Sequence, residues 1–364
     1  MASSHGNGNM NCFITPICAD LKMMTPGIRP TINQPLIIGQ KTINNRLFLA
    51  PMAGLGHIAF RELLSQCGGY GLLFMEMCNA RAVPHENRHF SPVFRWRDEE
   101  LPYLVCQIFG ATPVDMARAA ERIESEGFFG VDLNFGCSVQ AIVKKNCGAA
   151  LLKNPVLSSE IVKTVRKAVS VPVFVKYRIG WEDDPGFSVD MARRFEDAGA
   201  DALTFHPRVA PDRRSRPPKW DYIRQVKAAV SIPVFGNGNV FDENDLEAIL
   251  LKTACDGVSL GRIAIAKPWL FAAWSKDIQP ADTILKETIL KMIALLNRHF
   301  EPHMAIKLFK KYAIYFAANF KFGHAIYKEL SKAGNMEAVE QHIHLLFEKN
   351  PATLKRPDLN MFTR

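Results

Sequence analysis

At 364 residues, with 48% hydrophobic and 22% charged residues, the chain has ample material for a large core, which excludes general disorder. No apolar stretch approaches bilayer length, and residues 1–11 lack the basic start and apolar run of a signal peptide, so a cytoplasmic location is expected. The net charge of +9 hints at a polyanionic partner, and the eight cysteines hold no C-x-x-C pair that would mark a zinc ribbon or dithiol site.

Residues 1–35 are rich in Pro and Asn and read as an extended or disordered arm. Eight short apolar runs follow, at 47–50, 72–75, 103–108, 130–134, 173–177, 202–205, 234–236 and 257–260. Helical spacing lies between them, as at 113–126, 155–170, 189–198 and 243–252. Eight strands alternating with helices predict an α/β fold, a closed parallel (β/α)8 TIM barrel over 36–280. A doubly wound open sheet is the alternative, but no G-x-G-x-x-G follows the first strand. Beyond Trp269 no strand is predicted. Met292, Leu295, Leu296 and Phe300 share one helical face, as do Leu308, Tyr312, Phe316 and Phe320, which predicts an all-helical domain over 281–350. Residues 351–364 form a tail.

A parallel barrel builds its active site at the C-terminal ends of its strands. Those ends carry Pro51, Met52 and Ala53, then Glu76, Gln107, Asn134 with Cys137, Lys176 with Arg178, His206, Gly236-Asn237-Gly238 and Gly261-Arg262. Glycines after the last two strands let backbone amides approach a phosphate, and Arg262 adds a charged fork; tight turns are the alternative reading. Lys176 at a barrel mouth calls for an anion, which a reduced isoalloxazine would supply, and Gln107 offers a donor and an acceptor to a ring edge. His206 suits a phosphate, a substrate carbonyl or a structural role. A cysteine thiol titrates near 8.5, so Cys137 suits a general acid; a nucleophile, an inert packed cysteine, and Cys147 as the acid instead are the other options.

Six strings carry a resemblance in order and at fitting spacing. They are Leu49-Ala50-Pro51-Met52-Ala53-Gly54, Asp132-Leu133-Asn134-Phe135-Gly136-Cys137, Gly148-Ala149-Ala150-Leu151-Leu152, Val175-Lys176-Tyr177-Arg178-Ile179-Gly180-Trp181, Gly236-Asn237-Gly238 and Asp256-Gly257-Val258-Ser259-Leu260-Gly261-Arg262. Together with Lys311-Tyr312 and Tyr327-Lys328-Glu329-Leu330 in the tail, they resemble the flavin-dependent tRNA-dihydrouridine synthase (Dus) family. The resemblance implies FMN held by Pro51, Met52, Ala53, Gln107, Lys176 and His206, with Asn237, Gly238, Asn239, Gly261 and Arg262 on its phosphate. It implies Asn134 and Arg178 facing a uracil, and no metal. It also implies reduction by NADPH, hydride transfer from flavin N5 to C6 of a uridine flipped out of tRNA, and a proton from Cys137 to C5.

The chain departs from the family pattern at Gly56-His57, Ser138, Pro207 and Asn239. A basic segment with Arg208, Arg213, Arg214, Arg216 and Lys219, and lysines 307, 310, 311, 321 and 328 of the helical domain, would meet the RNA, the chain acting as a monomer. A flavin barrel reducing a free dihydropyrimidine or enone, one acting on another RNA, and a non-catalytic RNA-binding relative are the competing expectations.

Overall fold

The computed structural model describes residues 28–212 and 216–363; Cys12, Cys18, Arg213, Arg214 and most of the expected arm lie outside them. The described end of that arm, Ile28–Ile32, is one helical turn rather than extended chain. An antiparallel hairpin follows, β1 (Leu36–Ile38) with β2 (Lys41–Ile43). The eight predicted strands are then present as β3 (Leu47–Leu49), β4 (Leu72–Phe74), β6 (Leu104–Phe109), β7 (Gly130–Phe135), β8 (Val173–Gly180), β9 (Ala202–Val209), β10 (Val234–Asn237) and β11 (Gly257–Leu260), while β5 (Cys78–Asn79) adds a short pairing on β6. All pairings around the ring are parallel, and those of β3 with β11 and of β4 with β6 close it. The barrel is therefore closed, not an open doubly wound sheet.

Strand residues alternate between two cores. Phe48, Leu72, Phe74, Val105, Phe174, Ala202 and Phe235 fill the barrel interior, capped below by Ile38 and Ile43 of the hairpin. Their rings pack directly, Phe48 on Phe235 at 4.0 Å and Phe74 edge-on to Phe174 at 5.3 Å. The opposite parity, including Leu47, Leu49, Leu73, Leu104 and Val131, lies beneath the helices. Several helices begin with the same device, a capping side chain followed by proline at the first position. Thr112 caps Pro113–Ser125, Asn154 caps Pro155–Ala168 and Asp184 caps Pro185–Asp197, each satisfying an amide that the helix leaves open.

After β11 the chain is helical, with main helices Ile284–His299, Pro302–Ala317, Gly323–Lys332 and Met336–Glu348. Ile284–His299 packs on helix Ile58–Cys67 of the barrel, where Glu62 accepts from Arg298 at 2.8 Å and meets His299 Nε2 at 2.6 Å. Met292, Leu295, Leu296, Leu308, Tyr312, Phe316 and Phe320 are buried as their spacing predicts; Phe300 is half-buried. Among the described residues no helix is long and apolar enough to cross a membrane.

Candidate active site

Above the aromatic floor, the inward parity of the same strands turns polar. It presents Gln107, Asp132, Asn134, Lys176, Arg178, Thr204, His206, Asn237 and Ser259 toward the C-terminal mouth. A cavity of about 230 Å³ opens there, at the ends of β10 and β11. Pro51, Met52, Lys176, Arg178, His206, Asn237, Gly238, Asn239, Gly261 and Arg262 all line it. Ala53, Gln107, Asn134 and Cys137 do not; Ala53 is exposed on the rim, and the other three form a second cluster next to Lys176.

Arg208 also lines the cavity, so its place is not the surface loop that the basic run suggests. It lies within β9, 3% exposed, donating to Asn239 Oδ1 at 2.9 Å and to the Arg216 carbonyl at 2.7 Å. Between Arg178 and Gly180 the register of β8 on β9 slips by one residue, a bulge that falls at Pro207-Arg208. A missing amide donor costs least at a bulge, which accounts for a proline inside this strand. Arg262 donates to the same Asn239 oxygen at 2.9 Å, so one amide carbonyl bridges two guanidinium groups. Asn239 holds this position with φ of +54°, a left-handed conformation that Asn tolerates better than most side chains. Next to it Gly238 has φ of +114°, and a Cβ there would come within 3.2 Å of the His206 ring.

The electrostatics are one-sided. Lys176, Arg178, Arg208 and Arg262 face the cavity, and Asp212 is the one carboxylate among its described lining residues. Burial and nearby Arg178 lower the Lys176 pKa to about 8, and burial and Arg262 lower Arg208 to about 10. Burial, then Arg178, Lys176, Arg208 and Arg262, drive His206 well below the ordinary histidine range, so it is neutral. Its Nε2 lies 2.9 Å from Arg208 Nη1 and takes the acceptor role, because a guanidinium can only donate.

The second cluster is a buried hydrogen-bonded chain. Gln107 Nε2 donates to Asp132 Oδ2 at 2.6 Å, and Asn134 Nδ2 donates to Gln107 Oε1 at 2.9 Å. Asn134 Oδ1 then accepts from the backbone of Gly136 at 3.1 Å and of Cys137 at 2.9 Å. From the other side, Ala149 N donates to the Cys137 carbonyl at 2.9 Å, and Gly148 leaves no room for a Cβ against that carbonyl. Cys137 is half-buried with its backbone pinned on both sides. Cys147 is buried, its thiol turned to the Lys145 carbonyl at 3.3 Å and its pKa raised by burial. Burial also raises Asp132 to about 7, and its Oδ1 has no partner among the described residues. Asp132 and Ser259 are not among the candidates that the sequence offers, and Arg208 is there only as an RNA contact; strand parity is the signal that places all three at the site.

His57 resolves a departure from the family pattern. Its Nδ1 accepts from Phe60 N at 3.2 Å, so it caps helix Ile58–Cys67 as a carboxylate would.

The family profile described as "Dihydrouridine synthase (Dus)" matches residues 48–350. The chain is 34% identical over 273 residues to the "Probable tRNA-dihydrouridine synthase 1" of Synechocystis, covering 75% of this chain and 76% of that one. It is 35% identical over 264 residues to the "tRNA-dihydrouridine synthase B" of Pectobacterium carotovorum, covering 72% and 81%. Among solved structures, the old yellow enzyme of Trypanosoma cruzi shares the fold with a TM-score of 0.52 at 12% identity, covering 75% of this chain and 99% of that one. The cationic cavity, the pinned cysteine and the profile match agree: the chain belongs to the dihydrouridine synthase (Dus) family.

Proposed function

We propose that this protein reduces the C5=C6 bond of a uridine in tRNA to dihydrouridine, with FMN as cofactor and NADPH as reductant. The observation that carries this reading is the cavity at the ends of β10 and β11, where four cations face a single carboxylate among the described lining residues. Such an excess calls for an anionic ligand, and a flavin phosphate with an electron-accepting ring meets it.

Asn237, Gly238, Asn239, Gly261 and Arg262 would hold the phosphate, with neutral His206 beside it, its Nε2 accepting from Arg208. Pro51, Met52 and Ala53 would border the flavin. Lys176 would face the ring together with Gln107, which keeps one N–H and one lone pair beyond the two bonds it makes. Bound there and reduced, FMN supplies the hydride for C6 of the uracil. Asn134 and Arg178 would orient the base, and Cys137 would give its proton to C5, its position set through Asn134 by the buried chain back to Asp132. A cytoplasmic, reducing compartment suits the six free cysteines described.

The RNA would approach over the mouth and the helical region. Of the basic segment, Arg216 and Lys219 are paired with Asp212 and Asp183, so Lys307, Lys311, Lys321 and Lys328, exposed on the helical region, are the better contacts. Purified protein should be yellow, bleach with NADPH and form dihydrouridine in unmodified tRNA. Cys137→Ala should keep the flavin and lose the product. A colourless protein, or turnover of a free enone with untouched tRNA, would overturn the reading.

A further inference from the structure

We infer that residues 354–363 form a strap that positions Arg262 for the phosphate of the flavin, an inference that rests on the FMN site proposed above. This segment lies beyond the residues matched by the family profile, 48–350. It turns back along the helical region, Leu354 N donating to the Asn319 carbonyl at 2.7 Å and Asp358 N to the Ala318 carbonyl at 2.8 Å. It is then stapled to the barrel. Lys267 Nζ donates to the Lys355 carbonyl at 2.5 Å, and Arg356 pairs with Asp242 and, at 3.0 Å, with Asp245 beside the N-terminus of helix Glu243–Thr253. The strap ends in a short turn, Leu359–Thr363, that buries Met361 and Phe362 completely or nearly so.

That turn meets the cavity at one residue. The Arg262 guanidinium lies 5.1 Å from the Phe241 ring centre and 6.0 Å from that of Phe362. Its Nη1 approaches the Phe362 carbonyl at 3.5 Å while Nη2 donates to Asn239 at 2.9 Å. Phe362 itself is held by Phe241 at 5.7 Å and Tyr315 at 5.3 Å. A long cationic side chain is thus flanked by two aromatic rings and bonded at two nitrogens. Arginine stacks well on ring faces, and a fork fixed in advance loses less freedom when it meets an oxyanion. Phe362 and its carbonyl are positioning groups; they act through Arg262.

A merely structural strap would affect every ligand of the site alike, whereas this one should affect only ligands that carry the phosphate. The test titrates apoprotein with FMN and with riboflavin, following quenching of flavin fluorescence. Wild type should prefer FMN. Phe362→Leu, which keeps most of the buried apolar volume, should weaken FMN by about ten-fold and leave riboflavin unchanged. Removal of residues 354–364 should do the same where the shortened chain melts as a folded protein. Arg262→Ala should show the same selective loss, and adding Phe362→Leu to it should cost FMN nothing more, because the two act as one unit. Equal weakening of both flavins by Phe362→Leu, or unchanged FMN affinity, would overturn the strap while leaving the FMN site standing. Wild type that binds neither flavin would overturn both.

Discussion

At the scale of single residues, the most telling contact is one amide oxygen shared by Arg208 and Arg262. An aspartate at position 239 could make the same two bonds and would neutralise one of the cations. Asn239 orients both guanidinium groups without cancelling either, which leaves the cavity its demand for an anion. Asn239→Asp should therefore raise the melting temperature of the apoprotein, since Arg208 and Arg262 repel each other, while weakening FMN by roughly ten-fold or ~1.4 kcal/mol. Opposite signs for stability and affinity are the expected signature. If FMN affinity holds, the phosphate lies elsewhere. Asn239 came into view only through the family resemblance, which sets it beside the Gly-rich end of β10. The cavity role of Arg208 was not legible, because it stands in a run of basic residues that reads as an RNA-facing loop.

At the scale of elements, all eight strands were legible from apolar runs set between helical patterns, yet β8 and β9 continue past Tyr177 and Phe205, where the apolar runs stop. The cause is the barrel itself. Its upper interior layer is polar, so Lys176, Arg178, His206 and Arg208 interrupt the hydrophobic pattern that marks a strand. Asp132 hides because it lies two residues before Asn134, the polar residue near the strand end that draws notice. The cap of Ile58–Cys67 shows a substitution whose cost depends on pH. Burial, then the charges of Arg61, His299 and Lys311, lower the His57 pKa to about 3. The unfolded chain, titrating near 6.5, takes up that proton first, so stability present above pH 6.5 is lost as pH falls toward 3, by up to about 1.4 kcal/mol per unit inside that window. His57→Asn keeps a capping oxygen and does not titrate. Thermal melts at pH 7, 6 and 5 should show a shallower decline for His57→Asn than for wild type; parallel declines would mean that other groups dominate the acid response.

At the scale of the whole molecule, the helical region and the strap meet the barrel mouth at two neighbouring strand ends, those of β11 and β3. The strap reaches Arg262 at the end of β11, a contact invisible in sequence because its partners are 100 residues apart. At the neighbouring end of β3, Lys311, on helix Pro302–Ala317, comes so close to the Pro51–Gly54 loop that a Cβ at Gly54 would run into its Nζ, yet the lysine remains exposed. Lys307 lies four residues earlier on the same helical face and is also exposed. The helical region thus places cations at the rim, where the proposed reaction would have the backbone of a flipped nucleotide pass. Each phosphate neutralised by a lysine releases condensed counterions, so affinity for tRNA should fall steeply with salt. Lys311→Ala should lower the slope of log affinity against log salt by about one and leave FMN affinity unchanged. Lys332→Ala is the matched control, because Lys332 is paired with Glu329 on the outer surface, and its slope should equal that of wild type. If the two variants give equal slopes, the RNA does not cross the rim at Lys311, and the helical region serves the barrel by packing alone.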